Sequence, residues 1–375
     1  MQKKILIVHL NSNGDILLAT PIARQIKEID YAGCHLTWAV GSYYKTILKN
    51  NPYIDEIIEV PLENAKDYVG IWNNFYKKTI EFKKQGLFDL IFYTQAIGDT
   101  KFSTYNGSLR NLILKSYPNK IIVPLNPVVK LSSLEIDNVN LFVQKNNLLK
   151  YKVKILFECS PQSGQLHFTP EIAVKIASDL VFQNNVCFII SSSQSIKADY
   201  SHIIDGSVLT LRENAELTKH CDLLIGCSSG ISWISRSTWA KRLPMIQLMN
   251  PETLIFNSFI LDHKKFNLDF SDILELYNPS ETEIIQCVLD YINIGIGQTI
   301  IKHQVKTKPS FSFFKYFFNY FIDGNKYKHL LRLIYYHYKI YFYSVTFNLV
   351  FLYAFFEGLR SKIRIRTRIK TIFKK

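Results

Sequence analysis

KILIVHLNSNGDILLATPIARQIKE, Lys4–Glu28, holds the reading that decides the fold. Residues 4 to 10 form an apolar run rich in β-branched side chains, which suits a buried strand. The polar segment Asn11-Ser12-Asn13-Gly14-Asp15 interrupts it, and from Ile16 the apolar residues return with helical spacing. The stretch reads as strand, tight loop, helix.

That unit repeats as a pattern. HLTWAV (35–40) is expected to be a strand, Tyr43 to Lys49 a helix, and Ile54 to Val60, LFDLIFYTQ (87–95) and KIIVPL (120–125) further strands. After a polar stretch at 131–150 with little secondary-structure signal, the alternation restarts. KVKILFECS (152–160) is read as a strand, 170–183 as a helix, and VCFIISSS (186–193) and SVLTL (207–211) as strands. ENAELTKHC follows as a helix, DLLIG as a strand, 231–241 as a helix, and MIQLM (245–249) as a strand. Strands alternating with helices imply parallel sheets covered by helices. The expected architecture is α/β, with two doubly wound Rossmann-like domains at 1–150 and 151–300 facing across a cleft. Such sheets bind ligands beyond the carboxyl ends of their strands.

The formal net charge of +14 is confined to one region. Residues 301–375 hold 16 Lys and Arg against Asp323 and Glu357, while residues 1–300 balance at 29 basic and 29 acidic side chains. The same tail is aromatic: 20 of the 46 residues from Phe311 to Phe356 are Phe or Tyr. Dense aromatic runs beside a basic terminus fit a lipid headgroup region better than the spaced stacking platforms of nucleic-acid binders. Residues 311–375 are therefore expected to bind an anionic membrane surface, with no nucleic-acid partner. The uncharged run 340–356 would reach about 25 Å as a helix, short of the roughly 30 Å hydrocarbon core, so a surface-lying segment is preferred to a span. The first residues are too short an apolar run for a signal sequence. The expected location is cytoplasmic, on the inner face of the membrane.

Six scattered cysteines form no CxxC pair and read as small buried hydrophobes. There is no Asp-x-Asp and no His/Cys/Asp cluster with ligand spacing, so no metal site and no cofactor are expected. The absence of a Gly-x-Gly-x-x-Gly fingerprint and of a P-loop counts against dinucleotide oxidoreduction and ATP hydrolysis.

Asp15, closing the first loop, is either a helix cap or a carboxylate aimed into the cleft, where it would take a proton from a sugar hydroxyl. Ser228-Ser229-Gly230 is placed at a helix amino terminus, where free N–H groups, hydroxyls and the helix dipole suit a diphosphate. Lys101 and Arg110, in QAIGDTKFSTYNGSLRN, are candidates for holding an anionic acceptor.

The stretches ILIVHLNSNGDILLATPIARQIKE and NPYIDEII (51–58), and LTLRENAELTKHCDLLIGCSSGISWISRSTWAKRLPMIQL further on, resemble glycosyltransferase family 9, the lipopolysaccharide heptosyltransferases. ECSPQSGQLHFTPEIAVKIASDL (158–180) matches more weakly. The resemblance covers roughly residues 3–60 and 155–250. It implies Asp15 as the catalytic base and places Ser228, Ser229 and Gly230 around a nucleotide-diphosphate sugar; Asn13 and Gly14, in the turn that aims Asp15, are candidates on the acceptor side, and Ser163, Gln165 and His167 could donate hydrogen bonds to the diphosphate. Two positions depart from the family: its Asp in the Gly-containing turn is Ser228 here, and its His three residues beyond the Gly is Trp233. The loop that carries a family Lys has Gln165, His167 and Phe168 instead. The implied activity is metal-independent, inverting transfer of a sugar to a lipid-linked saccharide in surface-glycan synthesis. The alternatives are a non-catalytic saccharide- or nucleotide-sugar-binding protein of the same fold, or a nucleotide-sugar epimerase.

Overall fold

The computed structural model describes residues 2–62, 68–95, 110–159, 168–180, 185–197, 200–250 and 258–304, with six isolated positions between 349 and 360. Two parallel sheets organise these residues. The first contains β1 (Lys4–Val8), β2 (His35–Gly41), β3 (Glu56–Val60) and β4 (Leu90–Tyr93), in the order β3-β2-β1-β4. The second contains β5 (Val153–Glu158), β6 (Val186–Ser191), β7 (Ile203–Asp205), β8 (Leu223–Gly226), β9 (Met245–Met249) and β10 (Ile273–Tyr277), in the order β10-β9-β8-β5-β6-β7. Each order reverses direction once, between β1 and β4 in the first sheet and between β5 and β8 in the second. These reversals open the crevices in which α/β sheets hold ligands.

The helices are α1 (Asn13–Gln25), α2 (Tyr68–Lys84), α3 (Arg110–Lys115), α4 (Ser133–Lys145), α5 (Pro170–Asp179), α6 (Glu213–Leu217), α7 (Gly230–Ile234), α8 (Phe259–Phe266) and α9 (Glu281–His303). Helix α1 runs through Pro21, which has no N–H to offer the Leu17 carbonyl one turn back. The Thr20 hydroxyl donates to that carbonyl at 2.6 Å and accepts the Val128 N–H at 2.7 Å. The Thr-Pro pair thereby satisfies a buried acceptor and ties the helix to a passing loop.

Several expectations need correction. KIIVPL is not a strand: the Ile122 and Val123 N–H groups both donate to the Gln25 side chain instead of to a neighbouring strand. SVLTL is a turn region, and the edge strand lies just before it as β7. The helix expected at 231–241 is only α7, and the segment expected as a helix at 43–49 is a 3-10 helix, Ser42–Leu48. The stretch 131–150, read as poor in structure, contains α4, started by a capping box in which Ser132 and Glu135 each accept the other's backbone N–H.

Each unit has an apolar cluster of its own, and a further cluster is shared between them. A single apolar cluster runs from Ile5, Ile16 and Trp38 through Ile113 and Val139 to Leu224, Trp233, Met245 and Phe259. Polar contacts cross the same boundary: Arg212 donates to Glu135 at 2.6 Å and to the Lys130 and Lys49 carbonyls at 2.8 and 3.0 Å.

Among the described residues, α9 is long and apolar enough to cross a membrane, with a mean hydropathy of 1.4. It is not one straight rod. Gly295 has φ 74° and ψ 168°, and beyond it Lys302 and His303 return to Asp290 at 2.9 and 2.5 Å. In an unbroken helix, residues 290 and 302 would stand about 18 Å apart along the axis. The aromatic and basic tail at 311–375, apart from six positions, lies outside the described residues.

Candidate functional site

The loop after β1 and the turn after β8 stand at the reversal points of their sheets, and they meet. The first turn of α1 lies against the first turn of α7 so closely that a Cβ on Gly14 would lie 3.4 Å from Trp233 Cδ1 and 3.7 Å from the Gly230 nitrogen. A Cβ on Gly230 would approach Asn13 Cβ to 3.3 Å. Glycine on both sides lets the two backbones come this near.

Asp15 sits in the first turn of α1, half-buried, and accepts a long 3.4 Å hydrogen bond from Ser12 Oγ. A carboxylate there is favoured by the helix dipole. On the facing side, Ser229 accepts the Ile231 N–H at 3.1 Å as N-cap of α7, while its hydroxyl donates to Glu158. Asn13, Gly14, Asp15, Ser229 and Gly230 are all partly exposed, and of these Asn13 and Gly14 lie directly against Gly230.

Ser228 and Arg110 occupy the wall of this site. Ser228 is fully buried, in the left-handed region at φ 55°. Its N–H donates to Gln247 at 2.7 Å, and its hydroxyl and carbonyl accept from Arg110 at 2.8 and 2.6 Å. Arg110 also pairs with Asp262 at 3.0 Å and lies 5.4 Å from the centre of the Trp233 ring. Trp233 is itself fully buried and stacks on His263, with ring centroids 5.6 Å apart. In this arrangement the Arg110 guanidinium engages the turn of the second unit. Lys101, Ser163, Gln165 and His167 lie outside the described residues. Phe168, the next described residue, stacks on Phe157 with ring centroids 5.5 Å apart.

The residues that sequence reasoning missed lie beneath the turn. Glu158 ends β5 and accepts from the Ser229 hydroxyl, the Cys227 N–H at 3.3 Å and the Ser232 hydroxyl at 3.4 Å. Burial pushes its carboxyl up to about 7, against the lowering effect of those hydrogen bonds. Gln247, in the middle of β9, accepts from Ser228 and Ser232. A signal was present: an amide in the middle of the otherwise apolar β9, or an acid ending the apolar run 155–157 of β5, is a residue kept for its partners. Asp262 carried no such signal, because its partner Arg110 is 152 residues away.

No protein-family model matches the chain, and neither does any curated protein sequence. Solved structures do share its fold. The glycosyl transferase family 9 protein from Veillonella parvula aligns with a TM-score of 0.56 at 14% identity, covering 81% of this chain and 90% of that one. ADP-heptose LPS heptosyltransferase II of E. coli aligns with a TM-score of 0.51 at 12% identity, covering 79% and 99%. The fold is the two-Rossmann fold found in these glycosyltransferases, and the resemblance read from the sequence holds at that level.

Proposed function

We propose that the chain is a glycosyltransferase that moves a sugar from a nucleotide-diphosphate sugar, held by the second unit, to an acceptor held by the first. The observation that carries this is the meeting of two ligand crevices: the Asn13–Asp15 loop at one sheet reversal and the Ser229–Gly230 turn at the other. Asp15 is the base, taking the acceptor hydroxyl proton as the anomeric carbon is attacked with inversion. The N–H groups at the start of α7, around Gly230, receive the leaving diphosphate, without a metal.

The acceptor is proposed to be a lipid-linked saccharide of the bacterial envelope, reached from the cytoplasmic face with the basic, aromatic tail on the membrane. In support, the four described apolar tail positions, Leu349, Leu352, Tyr353 and Phe356, are exposed.

Calorimetric titration with ADP-, UDP-, GDP- and CMP-sugars, followed by a turnover assay, tests the reading. One donor is expected to bind. Asp15→Asn is expected to keep its affinity within about twofold and to lower turnover by a factor of 10² or more, the usual scale of a lost general base. Binding with no turnover on any envelope glycan extract would favour the saccharide-binding alternative, and no binding at all would remove the donor site.

A further inference from the structure

Arg110 begins α3 of the first unit, yet its described hydrogen bonds end on the second: the Ser228 hydroxyl, the Ser228 carbonyl and the Asp262 carboxylate of α8. Asp262 is almost fully buried. A charged pair in such a place breaks expensively when one partner is lost, so the contact is firm.

What it holds is unusual backbone. A serine at positive φ costs conformational energy and persists where its surroundings over-determine it. Here every polar group of Ser228 is engaged, the N–H by Gln247 from below and both oxygens by Arg110 from across the boundary. The next two residues, Ser229 and Gly230, form the partly exposed face opposite Asn13 and Gly14.

We propose that Arg110 is a positioning residue for the donor: from the first unit it clamps the Ser228 turn of the second, so that Ser229 and Gly230 present their hydrogen-bonding groups only when the units are together. The proposal rests on the donor reading above and changes the role expected of Arg110, from a contact on the acceptor to a brace behind the donor. Lysine cannot replace it, because one ammonium cannot span two Ser228 oxygens and a carboxylate with a fixed planar fork.

The test compares wild type, Arg110→Ala, Arg110→Lys and Asp262→Asn with Arg212→Ala, which breaks a different buried ion pair across the same boundary. Two quantities are read in each folded variant: affinity for the nucleotide diphosphate of the donor that wild type binds, and hydrogen exchange of peptides covering 223–234. Arg110→Ala and Arg110→Lys are expected to lose tenfold or more in affinity, with faster exchange at the turn. Added methylguanidinium should restore part of the loss in the alanine variant only. Asp262→Asn should fall between, and Arg212→Ala should bind within about twofold of wild type. Unchanged affinity or exchange in Arg110→Ala, or an equal loss in Arg212→Ala, overturns the positioning role while leaving the donor reading intact. Wild type that binds no nucleotide removes both. Should Arg110→Ala not fold, Arg110→Lys and Asp262→Asn decide, with the same expected losses.

Discussion

Glu158 is a buried acid beneath a turn made of serines, and its linkage to pH has a definite sign. Its carboxyl is raised from the ordinary 4.5 to about 7 in the folded chain, mainly by burial. Between those values an unfolded Glu158 ionises while the folded one keeps its proton, so the group's contribution to stability is present below about 4.5 and is lost as pH rises towards 7. The full shift corresponds to roughly 3 kcal/mol. Glu158→Gln is expected to remove this dependence: the difference in melting temperature between variant and wild type should move in the variant's favour from pH 5 to pH 8. A constant difference across that range would show that Glu158 does not titrate there. At this scale the sequence was legible where a residue's position is set locally: Asp15, Ser229 and the two glycines lie at helix starts that follow strong strand patterns. Residues whose task is set by a distant partner were opaque, as Arg110 and Asp262 show.

At the scale of elements, β8 ends against a crowded polar layer. A Cβ on Gly226 would come within 2.8 Å of Ser232 Oγ, 3.1 Å of Glu158 and 3.2 Å of Gln247. Gly226→Ala is therefore expected to cost about 1–3 kcal/mol, the usual range for overpacking a dense interior, read as a lower midpoint in urea. An unshifted midpoint would mean that the layer can relax. The same scale explains the misread segments. KIIVPL has a strand's composition, but its N–H groups are taken by Gln25, a pairing that no local pattern encodes. Helix α4 hid because only Val139, Phe142 and Val143 are buried, too few for a clear apolar stripe, although the Ser132–Glu135 cap was in plain view.

For the whole molecule, charge segregation predicts lipid selectivity. The full chain is expected to sediment with vesicles containing phosphatidylglycerol and not with pure phosphatidylcholine, and to be released as salt rises from about 0.1 to 1 M, which shortens the screening length from about 10 to 3 Å. Binding that ignores lipid charge would refute the electrostatic part of the membrane proposal. The alternating strands and helices showed two sheets from the outset. What they could not show is how the sheets are joined, because contacts between α1 and α7, or between Arg212 and Glu135, leave no periodicity in either segment.

The shared interior has a consequence for how such a molecule can change. The cluster reaching from Ile16 to Trp233 belongs to neither sheet alone, so heating should produce one calorimetric transition, with the van't Hoff and measured enthalpies equal, instead of two. Nor are the halves interchangeable parts. A chimera that joins residues 1–150 to the second half of another protein would set α1 against a stranger's helix, and the mismatch would fall beside the Asn13–Asp15 loop.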